Sequence, residues 1–265
     1  MTEEKTEASR PMRITYIIYI ALIIMLVLLS VSSFFFIIRS RGKGTQLATN
    51  TETPTPTPSP TSIYLETPPA QSEFYDTFKN NALGWSVSNT SGYYRTVKSG
   101  ALTLMNTNHG TTLVESLPTN SIFDNFTVIV DLTILKASLD DSVGIYVRGD
   151  SNLEHDYRID INGDGTFDIA KEYLDSRNNP QSIILFGPKS DSALHLQGEQ
   201  NTITLTVNGS QLQLFINNVL ASNVNDNDYI AGQVALFARA GKDSQNVAVS
   251  FNSVEVDKLQ GSTSG

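Results

Sequence analysis

The chain contains no cysteine. That excludes disulfides and thiolate metal centres, so any folded part must hold together through its apolar core alone, an unremarkable arrangement for a bacterial secreted module and an unusual one for a small eukaryotic module. Basic residues are scarce: 18 Lys and Arg stand against 27 Asp and Glu, a formal charge of −9. Recognition of a phosphate backbone relies on clustered Lys and Arg, which argues against nucleic acid as a partner. Amphipathic-helix periodicity is also missing throughout, as are internal repeats at propeller or solenoid periods.

One long hydrophobic run is present. From Ile14 to Ile38 no Asp, Glu, Lys or Arg occurs, and the run exceeds the roughly 20 residues that cross bilayer hydrocarbon as a helix. Arg13 closes its front and Arg39, Arg41 and Lys43 its back, with Tyr16 and Tyr19 near one end as interfacial rings. Its length and the Phe34-Phe35-Phe36 that follows Ser30-Val31-Ser32 favour an uncleaved anchor over a signal peptide. The flanking positive charges tie, so orientation rests on what comes next. Thr53-Pro54-Thr55-Pro56-Thr57-Pro58-Ser59-Pro60 has the composition of an extended cell-surface stalk. The expected organisation is a cytoplasmic tail (1–13), a transmembrane helix (14–38) whose partner is the lipid bilayer, a Pro/Thr/Ser-rich stalk (39–72), an extracytoplasmic domain (73–259) and a disordered tail (260–265). A single-pass cell-membrane protein with its C-terminal domain extracytoplasmic is therefore expected.

Within 73–259 apolar residues recur at every second position, as in Ile203, Leu205 and Val207, then Leu212, Leu214 and Ile216, then Val247, Val249 and Phe251. This is the period of half-buried strands. Turn signals separate them: Ser99-Gly100, Asn162-Gly163-Asp164-Gly165, Asn208-Gly209 and Asn217-Asn218. Further strands are expected near 93–97, 101–105, 111–117, 126–135, 142–148, 155–161, 166–172, 181–186 and 232–239. A dozen short strands in one cysteine-free domain predict an all-β fold of two packed antiparallel sheets, a sandwich or jelly roll.

Several segments carry a family resemblance: Phe74-Tyr75-Asp76-Thr77-Phe78 with Gly84-Trp85, Gly144-Ile145-Tyr146-Val147-Arg148, Tyr157 to Gly165, Asn201 to Leu220, Gly232 to Ala238 and Val249 to Val256. Together they resemble concanavalin A-like, laminin-G-like jelly rolls, nearest to the branch that includes 3-keto-disaccharide hydrolase domains and bacterial membrane-anchored proteins. The resemblance implies a fold shared by lectins, glycosidases and adhesion modules, so activity has to be argued from the site.

Four sets of residues are candidates. Asp160, Asn162, Asp164, Gly165 and Asp168 have calcium-loop spacing, but Lys171 stands where a bidentate acid belongs and the flanks alternate as strands, which favours a hairpin turn with no cofactor. Glu154, Asp156 and Asp160 fall at even spacing on one expected strand. The Glu-x-Asp-x-x-Glu string that related glycosidases carry is absent, so catalytic residues are not assigned. His109, His155 and His195 are scattered, and no Gly-x-Ser-x-Gly elbow accompanies them. The fourth set is a sugar platform of aromatic rings and hydrogen-bonding forks. If Val143, Ile145 and Val147 face the core, Tyr146 and Arg148 face outward to meet Asp156 and Arg158, with Trp85, Tyr94 and Arg239 joining from other strands. The alternative makes Trp85 a core cap and Arg148 a structural partner of Asp156. The expected function is a lectin-like binding module for a glycan or another surface polymer, or for a surface protein. A glycoside hydrolase or 3-keto-disaccharide hydrolase-like enzyme, or a structural interaction domain, is the alternative.

Overall fold

The computed structural model describes residues 71–259. The expected tail, transmembrane helix and nearly all of the stalk lie outside the described residues, as does the segment 260–265. Within them the chain forms fourteen strands: β1 (Gln71–Asp76), β2 (Tyr93–Lys98), β3 (Ala101–Asn106), β4 (Thr111–Ser116), β5 (Phe126–Lys136), β6 (Ser142–Gly149), β7 (Asp156–Asn162), β8 (Thr166–Leu174), β9 (Pro180–Ser190), β10 (Gln200–Asn208), β11 (Gln211–Ile216), β12 (Val219–Asn225), β13 (Gln233–Ala240) and β14 (Val247–Lys258). No described residue is helical.

All pairings are antiparallel and fall into two sheets. One runs β12-β11-β10-β5-β14-β3-β2, with β1 beside the second half of β14; the other runs β4-β13-β6-β7-β8-β9. Alternation explains why they stack. Phe126, Val128, Val130, Leu132 and Ile134 on β5 are buried while the residues between them are not, and β10, β11 and β14 present Ile203, Leu205, Leu212, Leu214, Val249 and Phe251 to the same interior. The six-stranded sheet answers with Val143, Ile145, Val147, Ile159, Ile161, Phe167, Ile169 and Leu236. The result is the two-sheet sandwich that the strand pattern predicts.

The hairpins follow their turn chemistry. Val207 pairs with Leu212 around Asn208-Gly209, as expected, and Asn217 and Asn218 both adopt positive φ (50° and 65°) between β11 and β12, the geometry of a two-residue type I′ turn. β12 itself escapes the alternation rule because it is an edge strand, exposed at Val219 and Leu220, with a register shift opposite Leu214/Phe215. β1 is short and was legible only as a motif. β6 differs from the rest in being buried along its whole length, on both faces. Something other than the main core therefore covers its outer side.

Candidate functional site

The outer face of the six-stranded sheet is built by register. Arg239 lies opposite Ser142, which lies opposite Asn162; Phe237, Gly144, Asp160 and Asp168 form the next row; Ala235, Tyr146, Arg158 and Ala170 the third; Asp156 and Glu172 close the face. Tyr146, Ala235 and Phe237 make a small apolar cluster of their own, with Val114 and Leu153 packed on it and the Tyr146 and Phe237 rings 4.9 Å apart. Gly144 is required between them. A Cβ there would lie 2.0 Å from the Ile159 carbonyl oxygen and 3.2 Å from the Phe237 ring.

Beside this cluster runs a chain of charges. Asp160 accepts from Ser142 Oγ (2.6 Å) and faces Arg239 Nη2 (3.2 Å) with one oxygen, and accepts from Arg158 Nε (2.6 Å) with the other. Arg158 Nη1 pairs with Glu172 Oε1. Arg239 Nε also donates to Ser142 Oγ at 2.9 Å. Asp168 accepts from Asn162 Nδ2 at 2.9 Å. The chain is mostly desolvated, with the Asp160 side chain at 0% exposure and Arg158 at 6%, but it surfaces at both ends: Glu172 at 21% and Arg239 at 35%. Each end opens into a cleft. One, of about 240 Å³, has Leu153, Glu154, Glu172, Pro180 and Ser182 in its wall. The other, of about 430 Å³, is lined by Gly110, Asp140, Arg239, Lys242 and Asp243.

Burial shapes the acids of this face. Asp156 is fully buried and neither carboxyl oxygen has a hydrogen-bond partner; desolvation raises its pKa to about 8. Desolvation, followed by the neighbouring Asp160 charge, raises Asp168 to about 6. Burial likewise holds the Tyr146 phenol protonated, up to about 12. At neutral pH Asp156 is thus a carboxylic acid beside a carboxylate–guanidinium chain.

Of the expected platform, the structure brings Tyr146, Asp156, Arg158 and Arg239 onto this face. Three residues lie elsewhere. Trp85 is in the core, 5.2 Å from the Phe78 ring and edge-on to Phe74, with Nε1 donating to Asp76 Oδ2 at 2.7 Å. Tyr94 is exposed on β2, in the other sheet. Arg148 does not point outward beside Tyr146, because strict alternation ends at a bulge: the pairing shifts between Gln233 and Val234, and Arg148 takes φ 53°. Its guanidinium turns inward and donates to the carbonyls of Asp124 (2.6 and 3.1 Å), Gly209 (2.7 Å) and Tyr229 (3.0 Å). It tethers three loops and does not pair with Asp156.

Glu154 also departs from expectation. It sits in the loop before β7, its amide bonded to Asp150, so it shares no strand face with Asp156 and Asp160. The loop from Asp160 to Asp168 is a hairpin in which Asp164 accepts from Thr166 N and Oγ1 and Asn162 bonds Thr166 and Asp168. Among the described residues no group of three or more His, Asp or Glu side chains is placed to hold a metal ion. Glu172 and Ser142 were not anticipated. The signal for Glu172 was available, since a turn centred on Asp164 pairs Asp160 with Asp168 and Asp156 with Glu172; Ser142 had none.

This architecture is a jelly-roll sandwich of two antiparallel sheets. Residues 74–256 match the model of the 3-keto-alpha-glucoside-1,2-lyase-like domain, and the chain belongs to that family. No curated protein matches it. Among solved structures it is similar to the carbohydrate-binding module CBM66 from Bacillus subtilis, at 14% identity and a TM-score of 0.50, covering 66% of this chain and 96% of that one. It is also similar to a glycoside hydrolase family 16 endo-glucanase from Bacteroides ovatus, at 14% identity and a TM-score of 0.49, covering 69% of this chain and 99% of that one. At such identities the likeness is one of fold.

Proposed function

We propose that the domain is a non-catalytic, lectin-like module that binds carbohydrate on the outer face of its six-stranded sheet. The observation that carries this reading is the chain Glu172–Arg158–Asp160–Arg239, held rigid by its own hydrogen bonds and surfacing in a cleft at each end. Sugar hydroxyls are recognised by such fixed carboxylate and guanidinium groups. Asp160 is fully engaged by Ser142, Arg158 and Arg239, which suits it to positioning its neighbours. Family membership supports a glucoside-related ligand. Glycan-array binding that is weakened at least tenfold by Arg239→Gln and Glu172→Gln supports the reading; full-length protein that binds no glycan refutes it.

The hydrophobic run from Ile14 to Ile38 and the Pro-rich segment after it support an anchor and stalk that hold this module outside the cell membrane. Protease shaving of intact cells tests that topology: loss of the domain is the expected result.

One observation favours a second reading. Two carboxyls of the face, Asp156 and Asp168, are held protonated to higher pH than usual by burial, as an enzyme's general acid would be. Cleavage of a 3-keto-α-glucoside, lost in Asp156→Asn or Asp168→Asn, would make the domain an enzyme of the type for which its family is named.

A further inference from the structure

Two irregularities coincide at one corner of the outer face. Leu153 holds φ 54°, a left-handed conformation that is strained for a non-glycine residue. Three residues later, Asp156 is fully buried with both carboxyl oxygens unpartnered, a state that needs a compensating reason.

The segment around Leu153 is bonded chiefly to itself. The Asp150 carboxylate accepts from the amides of Asn152 (3.1 Å) and Glu154 (2.9 Å), and its second oxygen lies 3.0 Å from His155 Nδ1. Asp150 N bonds the His155 carbonyl, and Leu153 N the Asp150 carbonyl. Leu153 fastens this small unit to the sheet by packing against Tyr146, Ala235 and Phe237. The seat is made by Gly149, where a Cβ would lie 2.4 Å from Leu153 Cδ2 and 3.5 Å from Asp156 Cβ. Leu153 and Glu154 also form one wall of the cleft that reaches Glu172.

We propose that Asp150–His155 is a lid, seated by Leu153 on the Tyr146–Phe237 cluster, and that lifting it adds the Asp156 carboxyl to the Glu172 cleft as a hydrogen-bond donor to a sugar hydroxyl. The donor role rests on the glycan-binding reading; the lid does not. A sugar that takes the lid's place over Asp156 excludes water again and keeps the carboxyl protonated, which the donor role needs because an ionised carboxylate only accepts. Groups that bear on Asp156 are Arg158 and Asp160 on its own strand, Glu172 on β8, Tyr146 on β6, Asp150, Glu154 and His155 in the lid, and Tyr229. Arg158 is already shared between Asp160 and Glu172, so its charge offsets the burial of Asp156 only in part. Ionising Asp156 beneath a closed lid is costly, and the open lid, which admits water, is favoured as pH rises past its titration.

The test is hydrogen–deuterium exchange on the full-length chain in detergent, without ligand, at pH 6 and pH 9 and corrected for intrinsic base catalysis. Lifting unravels the Asp150-centred loop, so the amides of Asn152, Leu153 and Glu154, with that of Asp150 at the lid's base, are expected to lose protection at least tenfold at pH 9 in the wild type and not in Asp156→Asn. In Leu153→Ala they are expected to be poorly protected at both values, which keeps the lid testable if the Asp156 variant does not fold. Equal protection at both pH values in the wild type, together with unchanged protection in Leu153→Ala, overturns the lid. For the donor role, binding of gluco-oligosaccharides including laminaritriose is expected to fall at least tenfold from pH 6 to pH 9 in the wild type. Asp156→Asn, which keeps a donor, is expected to bind at both. Binding that is pH-independent in the wild type, or absent altogether, overturns the donor role, while the exchange result still decides the lid.

Discussion

Arg158 Nε donates to Asp160 Oδ2 at 2.6 Å, two residues along the same strand and on the same face of the sheet. Consecutive same-face residues of a strand are separated by about 6–7 Å of backbone, so the long guanidinium bends along the strand to reach the carboxylate, and its other end meets Glu172 on β8. One arginine thereby joins two strands and two acids in a nearly dry layer.

Removing that arginine leaves Asp160 buried with a charge that Ser142 and Arg239 only partly satisfy. Arg158→Met is expected to cost about 3–5 kcal/mol in urea unfolding. The double variant Arg158→Met/Asp160→Leu is expected to recover most of it. A single-variant cost below about 1 kcal/mol would show the pair to be solvated.

Asp156 makes stability depend on pH with a definite sign. Its pKa rises from 3.8 to about 8 on folding, so the folded protein retains a proton that the unfolded chain releases. The stability that Asp156 contributes is full below pH 4 and falls as pH climbs toward 8, by at most about 1.4 kcal/mol per unit. Asp156→Asn has no such carboxyl and is expected to gain on the wild type progressively between pH 4 and 8, the contributions of the other shifted acids, Asp168 among them, being common to both proteins. Parallel stability curves for the two proteins contradict this.

Trp85 reports on the core. It is the chain's single tryptophan and is buried against Phe74 and Phe78. Trp85→Ala is expected to destabilise by about 3–5 kcal/mol through the cavity left behind. Titration with a bound oligosaccharide is expected to leave Trp85 fluorescence unchanged, since the ring is buried in the core and not on the outer face. A blue shift or quench on binding would return it to the ligand site.

Arg148 is expected to resist conservative replacement. Lysine carries one ammonium where the guanidinium bonds three separate carbonyls, so Arg148→Lys should still lose about 1–3 kcal/mol with glycan affinity in the remaining folded fraction unaltered. Thermal melts and titration measured side by side check both halves.

The fold was readable because alternation persists along most strands and the turn dipeptides fall between them. Where alternation breaks, the reading broke too: a bulge with positive φ rotated Arg148 inward, and the edge strand β12 presents Val219, Leu220 and Ala221 consecutively. Sequence spacing placed Asp156, Arg158 and Asp160 on one face correctly, since β7 is regular. It missed Glu172, although the turn centred on Asp164 sets the register that places it opposite Asp156, and it could not foresee that Glu154 is drawn into a loop by Asp150. Trp85 illustrates a different limit, because a lone aromatic outside any strand carries no period by which its direction could be read.

The most direct measurement is glycan-array binding of the full-length protein and of variants on its two outer faces. Arg239→Gln and Glu172→Gln, at the two surfacing ends of the charge chain, are predicted to weaken binding at least tenfold. Thr206→Ala, which breaks the Thr127–Thr206 hydroxyl contact on the eight-stranded sheet, is predicted to leave binding unchanged. Absence of any carbohydrate ligand, or binding that survives both outer-face variants and fails in Thr206→Ala, would contradict the account.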